Sequence, residues 1–183
     1  MIGLILAVGF LTQAVYAKKK PKEIVMWVNH FALESGDPTV TTTSSDSTTS
    51  GVGGGLTGLV VTSSTIGDTD SFGGNKVVHM GVQVPPENTV KGVRLCYEYS
   101  AGSVSFFTQT RLAQVQNPPA IAFVLMDDGT DLTAIGPVCV NSAVTTIDPG
   151  KGPLLLSFRI FTGATGDKLV IRGVGLLLQE REE

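Results

Sequence analysis

The residues of this chain best placed to do chemistry are four arginines, a short acidic run and one pair of cysteines. Arg94, Arg111, Arg159 and Arg172 each fall near the middle of a different strand-like run, on the side opposite the more apolar residues. A guanidinium fork recognises carboxylate or sulfate through paired, parallel hydrogen bonds. If the four runs share one sheet, the arginines line its outer face together with Gln83, Glu98 and Gln109. That face would hold an acidic sugar or another anionic ligand. The plainer expectation is a solvated sheet face with cross-strand pairs between arginines and acids such as Glu98.

The run MDDGTDL places Asp127, Asp128 and Asp131 in a glycine-containing loop, a set of oxygens suited to a hard cation such as Ca2+. It lacks the regular acid spacing of an EF-hand loop and the bidentate glutamate that closes one. A turn in which Asp side chains accept hydrogen bonds from their own backbone therefore competes with the metal reading. Asp68, Asp70 and Asn75 in GDTDSFGGN form a weaker set of the same kind. No other cofactor is expected.

Catalysis has little support. The two histidines, His30 and His79, stand within strand-like runs beside no nucleophile motif. The chain has no Gly-x-Ser-x-Gly elbow, no His-Glu-x-x-His, no phosphate-cradling loop and no dinucleotide fingerprint. A secreted hydrolase with a triad assembled from distant residues is the enzymatic alternative, since triads are set by geometry. The aromatic residues able to stack on a sugar are few: Trp27, Tyr97, Tyr99, Phe106, Phe107 and Phe161. Phe106 and Phe107 are adjacent, so in a regular strand they point to opposite faces and one is open to solvent.

The elements that must position these residues read as strands. In VVHMGVQV, Val78, Met80, Val82 and Val84 alternate with Val77, His79, Gly81 and Gln83. Pro85, Pro86, Glu87 and Asn88 interrupt the pattern, and it resumes with Val93, Leu95, Tyr97 and Tyr99 on one side and Arg94, Cys96 and Glu98 on the other. The two runs predict a hairpin-like unit. Further strand-like runs are 104–115, 120–126, 137–144, 154–161 and 169–178, separated by Asn-Pro-Pro, Asp-Asp-Gly and Gly-rich breaks. Gly173 and Gly175 in the last run predict a bulge or a close backbone approach. The expected fold is all-β: a single antiparallel β-sandwich of about eight strands, jelly-roll-like, with its core in residues 76–183.

Ahead of that core, residues 36–75 are rich in Thr, Ser and Gly and predict a flexible loop or linker, with a short edge strand at 59–66. An O-glycosylated stalk would carry more proline. Residues 18–35 hold a lysine cluster and then EIVMWVNHFALES, whose Ile24, Met26 and Val28 alternate with Val25 and Trp27. This is the expected first strand, or a strand donated to a neighbouring subunit. Residues 1–17, MIGLILAVGFLTQAVYA, end in a small-residue pattern suited to signal peptidase and are shorter than a bilayer span. A retained membrane segment is the alternative, because Lys18, Lys19, Lys20 and Lys22 follow the apolar run rather than precede it.

Export agrees with the cysteines. Cys96 and Cys139 are an even pair that an oxidising compartment would close, against the alternative of two buried thiols. No second cysteine lies near either one, which argues against a zinc site. The net charge of -3 argues against a nucleic-acid partner. The chain is thus expected to be secreted, periplasmic or on the cell surface, without a stable membrane span after processing. It would act as a non-catalytic module that binds carbohydrate or another surface protein. A structural subunit of a filament or coat, self-associating through the 24–33 strand, is the second expectation.

Overall fold

The computed structural model describes residues 22–44, 58–116 and 121–181. In chain order the strands are β1 (Glu23–Val28), β2 (Glu34–Ser35), β3 (Val40–Ser44), β4 (Leu59–Ser63), β5 (Val77–Val82), β6 (Asn88–Tyr99), β7 (Phe106–Val115), β8 (Ala122–Asp128), β9 (Val138–Asn141), β10 (Leu154–Phe161) and β11 (Leu169–Glu180). They form two antiparallel sheets, and the described residues contain no α-helix. No helix among them is long and apolar enough to cross a membrane.

One sheet runs β3–β4–β11–β6–β9, and β1 pairs with β11 beyond the short stretch that β4 covers. The other runs β2–β5–β10–β7–β8. Their inner faces meet in one core. From the first sheet come Val93, Leu95, Tyr97, Tyr99, Leu169, Ile171, Val174, Leu176 and Leu178; from the second, Val78, Met80, Leu112, Leu156, Phe158 and Ile160. Period-two alternation produces this division, since successive side chains of a strand point to opposite faces. Tyr97, Tyr99, Phe107 and Phe158 form its aromatic centre, with ring centroids 4.8–6.0 Å apart. The buried Tyr99 hydroxyl donates to the Leu132 carbonyl at 2.6 Å and accepts from the Phe107 N–H at 3.1 Å, so no polar atom of that ring is left unsatisfied. Burial pushes its ionisation upward.

Two expectations change, and one pair of alternatives is decided. The run from Val77 to Tyr99 is not a hairpin: β5 pairs with β10 and β2, whereas β6 pairs with β11 and β9. Pro85 and Pro86 give a ladder no donors, and the chain crosses from one sheet to the other there. Residues 36–75 contain two paired strands, β3 and β4, which supply Val40, Leu59 and Val61 to the core. Residues 45–57 of that segment, and residues 1–17, where a cleaved leader was expected, lie outside the described residues. β1 pairs with β11 of its own chain through six residue pairs, as expected of a first strand of the sandwich and not of a strand donated to a neighbour.

Cys96 and Cys139 are directly opposed on β6 and β9 and are disulfide-bonded, with Cα atoms 3.9 Å apart. Loops are tied by buried or half-buried carboxylates. Asp167 accepts from the Val104 N–H at 3.0 Å and the Ser105 hydroxyl at 2.6 Å, joining the β6–β7 and β10–β11 turns. Burial alone would raise its pKa, but these hydrogen bonds outweigh it and hold the group below its ordinary value. Asp37 follows the same logic, with Thr39 and Ser71 as its donors.

A carboxyl group whose pKa is lowered on folding contributes stability that is present above its unfolded value of 3.8 and is lost as pH falls through the lower folded value. Chemical denaturation should therefore show stability declining steeply below about pH 4. Asp167→Asn should be less stable than the parent at neutral pH and should flatten that acid limb. The disulfide closes a loop of 43 residues. Replacing both cysteines by serine should cost up to about 4 kcal/mol on the chain-entropy model, read as a lower urea midpoint.

Candidate functional site

The register of the five-stranded sheet assembles a polar band on its outer face. Glu34, His79, Ser157, Arg111 and Asp127 stand in one row across β2, β5, β10, β7 and β8. Each is half-buried or exposed, while its neighbours along the strand turn into the core. Arg111 donates Nε and Nη2 to the two carboxylate oxygens of Asp127, at 3.2 and 3.1 Å, in a bidentate pair.

Two residues further along β10, Val77, Arg159 and Gln109 form the next row. Arg159 Nη2 lies 2.6 Å from Asp68 Oδ2. A bulge between Arg159 and Ile160 then inserts Thr108 on the β7 side. Beyond it Phe106 and Phe161 pair across the strands, with ring centroids 5.1 Å apart. These rings, with Thr108, Asp68 and Asp131, line a depression of 170 Å3. In the opposite direction along the sheet the face becomes apolar, with Leu155 43% and Val124 52% exposed.

Beneath the Asp68 end lies a buried lysine. Lys76 is fully enclosed, and its Nζ donates to the carbonyls of Thr65 and Ile66 at 2.6 and 3.2 Å. Its backbone N–H donates to the Asp68 carbonyl, and its carbonyl accepts from the Ile160 N–H. Burial lowers its pKa, and the nearby charges of Asp37 and Asp68 oppose that. Through these bonds Lys76 sets the loop that delivers Asp68 to Arg159.

The expected single arginine face does not form. Arg111 and Arg159, with Gln109, stand on the five-stranded sheet, whereas Arg94 and Arg172, with Glu98, stand on β6 and β11 of the other. The chain changes sheet in the β6–β7 and again in the β10–β11 connection, and these crossings separate them. Arg172 Nη2 pairs with Glu98 Oε2 at 2.8 Å, and Arg94 Nε donates to Asn141 Oδ1 at 2.9 Å. The expected Ca2+ ligands are also parted. Asp127 faces Arg111, Asp128 accepts from the Thr130 and Ala143 N–H groups, and Asp131 lines the Phe106–Phe161 depression. No group of three metal-ligating side chains occurs among the described residues.

Sequence patterns alone missed the partners of this face. Asp68 looked like part of a second acidic patch, and only the β5–β10 register brings its loop to Arg159. Glu34 and Ser157 carry no sequence signal. Phe106 does in part: the adjacent Phe106 and Phe107 rings must point to opposite faces, and the structure buries Phe107 and leaves Phe106 outside.

No family model and no curated protein matches the sequence. Solved structures do match in fold. The CBM22-1-GH10 modules of the endo-1,4-β-D-xylanase 10B of Clostridium thermocellum, complexed with xylohexaose, superpose at a TM-score of 0.51 and 10% identity; the match covers 87% of this chain and 28% of that one. Another structure, described as concerning carbohydrate-binding modules of the β-sandwich superfamily, superposes at 0.51 and 12% identity, over 81% of this chain and 58% of that one. The chain thus spans less than two thirds of either. At these identities the likeness establishes the fold: a β-sandwich of the kind seen in carbohydrate-binding modules.

Ion pairs on this face are partly exposed and stabilise little. The double variant Arg111→Gln/Asp127→Asn should shift stability by less than about 1 kcal/mol. Leu112→Ala, one residue away on the core side, should cost about 2–5 kcal/mol. Urea unfolding of the two proteins makes the comparison.

Proposed function

We propose that the chain is an exported, non-catalytic module that binds a neutral oligosaccharide along the outer face of the five-stranded sheet. The observation that carries this reading is the combination on one face of the paired Phe106 and Phe161 rings with the band of fixed donors and acceptors beside them. A pyranose has apolar C–H faces that pack on an aromatic ring, and hydroxyls that both donate and accept. Asp127 and Asp68 would accept from such hydroxyls, and Arg111, Arg159, Ser157 and Gln109 would donate to them.

Charge favours a neutral ligand over an anionic one. Both arginines on this face already face carboxylates, and Glu34 and Asp131 add further negative charge. An incoming anion would have to displace a bidentate partner within this acidic surround. The likeness in fold to carbohydrate-binding modules supports the reading, although a fold hosts many functions. The Cys96–Cys139 bond supports export, because disulfides persist in oxidising compartments.

Calorimetric titration with xylo- and cello-oligosaccharides tests the proposal. Saturable binding should weaken by about tenfold in Phe161→Ala and in Arg111→Gln, each variant losing roughly 1.4 kcal/mol. If a broad array of neutral glycans gives no binding to the folded protein, or if binding is indifferent to both changes, the proposal fails.

A further inference from the structure

The outer face of the other sheet carries a separate arrangement. Trp27, the chain's single tryptophan, stands 57% exposed on β1. It pairs with Gly175 of β11, Gly175 pairs onward with Arg94 of β6, and Arg94 pairs with Asn141 of β9. One row across the sheet therefore reads indole, bare backbone, guanidinium, amide. The bare backbone is required. A Cβ at Gly175 would sit 2.6 Å from Val25 Cγ1 and 3.4 Å from Trp27 Cε3, and one at Gly173 would sit 3.2 Å from Trp27 Cζ3. The two glycines let one edge of the indole settle onto β11 while the rest of the ring stays open to solvent.

Arg94 differs from the other mid-strand arginines. Arg111, Arg159 and Arg172 each face a carboxylate. Arg94 does not: its Nε donates to Asn141 Oδ1 at 2.9 Å, and its two amino groups have no partner among the described residues. The bond to Asn141 fixes the fork, and the adjacent Cys96–Cys139 bridge fixes the two strands that carry it. What the fork lacks is an anion. Neighbouring strands lie about 4.8 Å apart, so the Trp27 and Arg94 backbones are about 10 Å apart, with only Gly175 between them.

We propose that this row binds an acidic saccharide. The apolar face of one sugar ring lies against the Trp27 indole, and its carboxylate, or a sulfate ester presenting the same pair of oxygens, takes the two amino groups of Arg94. This inference stands apart from the neutral-glycan site. It uses the opposite face and the opposite charge preference, and either site can fail alone.

The single indole reports on its own site. Emission of Trp27 in the disulfide-bonded full chain is titrated with short oligogalacturonides, chondroitin sulfate oligosaccharides, neutral cello-oligosaccharides and polyglutamate. At least one acidic saccharide should give a saturable change that weakens with added salt, and the neutral sugar should give none. A response to the oligogalacturonides identifies the carboxylate as a sufficient anion; a response to chondroitin sulfate alone, which carries both groups, is assigned to the sulfate if the desulfated oligosaccharide gives none. Arg94→Gln, confirmed folded by its melting curve, should weaken binding by about tenfold or more. Trp27→Ala, followed by calorimetry, should do the same, and the exposed-lysine variant Lys151→Gln should leave affinity unchanged. The proposal is overturned if neither acidic saccharide moves the emission of the folded protein, or if Arg94→Gln binds as the parent does. A response to polyglutamate alone would also overturn it and identify the row as a protein contact.

Discussion

Pairing between β6 and β11 runs from Leu169↔Tyr99 to Glu180↔Asn88, and almost everything else in the molecule is arranged around it. Because alternate side chains of each strand point to opposite faces, this one ladder sends Leu95, Tyr97, Val174 and Leu176 into the shared core and leaves Arg94, Glu98, Arg172 and Gly175 outside. A slip of one residue would exchange the two sets and bury charge. Hydrophobic burial thus fixes the register, and the register fixes which polar groups meet on the surface.

The same reasoning explains why the fold was more legible in the sequence than the site. Alternation in Val77–Val82, in Val93–Tyr99 and in the later runs identifies strands and their core sides directly, because burial writes itself into a period of two. It says nothing about which strand lies beside which. The arginine face was expected on one sheet because each arginine sits mid-strand opposite an apolar face, and that local statement is correct for all four. Their division between sheets depends on the crossings in the β6–β7 and β10–β11 connections, which no local alternation reveals. Thr41, Thr42 and Thr43 show a second limit. In a Thr/Ser/Gly-rich segment they read as linker, yet β-branched side chains suit a strand, and the chain pairs them with β4. The acidic run misled in the opposite way, since three neighbouring carboxylates in sequence diverge to three unrelated partners in space.

The two outer faces have different electrostatic character although they share one core. On the five-stranded sheet every arginine is matched by an acid, so the face offers hydrogen bonds without a net attraction for anions. On the other, the Arg172–Glu98 pair is also matched, and Arg94 is the exception beside an open aromatic ring. The enclosed Lys76 belongs to neither face: its ammonium group is spent on loop carbonyls, and its role is to hold Asp68 in place.

β9 is a four-residue edge strand that covers part of the outer side of the twelve-residue β6. The chain on either side continues the pairing, with the Tyr99 N–H donating to the Ile135 carbonyl, the Ser142 N–H to the Val93 carbonyl and Ile147 bridging Val90, and the disulfide at the second residue of β9 closes this ladder covalently. The run thereby caps N–H and C=O groups along the outer side of β6, which would otherwise form the kind of edge where separate chains add strands to one another. One pair of sulfur atoms thus staples the cover of a sheet edge to the strand it protects, a covalent guard of the kind that lasts in an oxidising compartment.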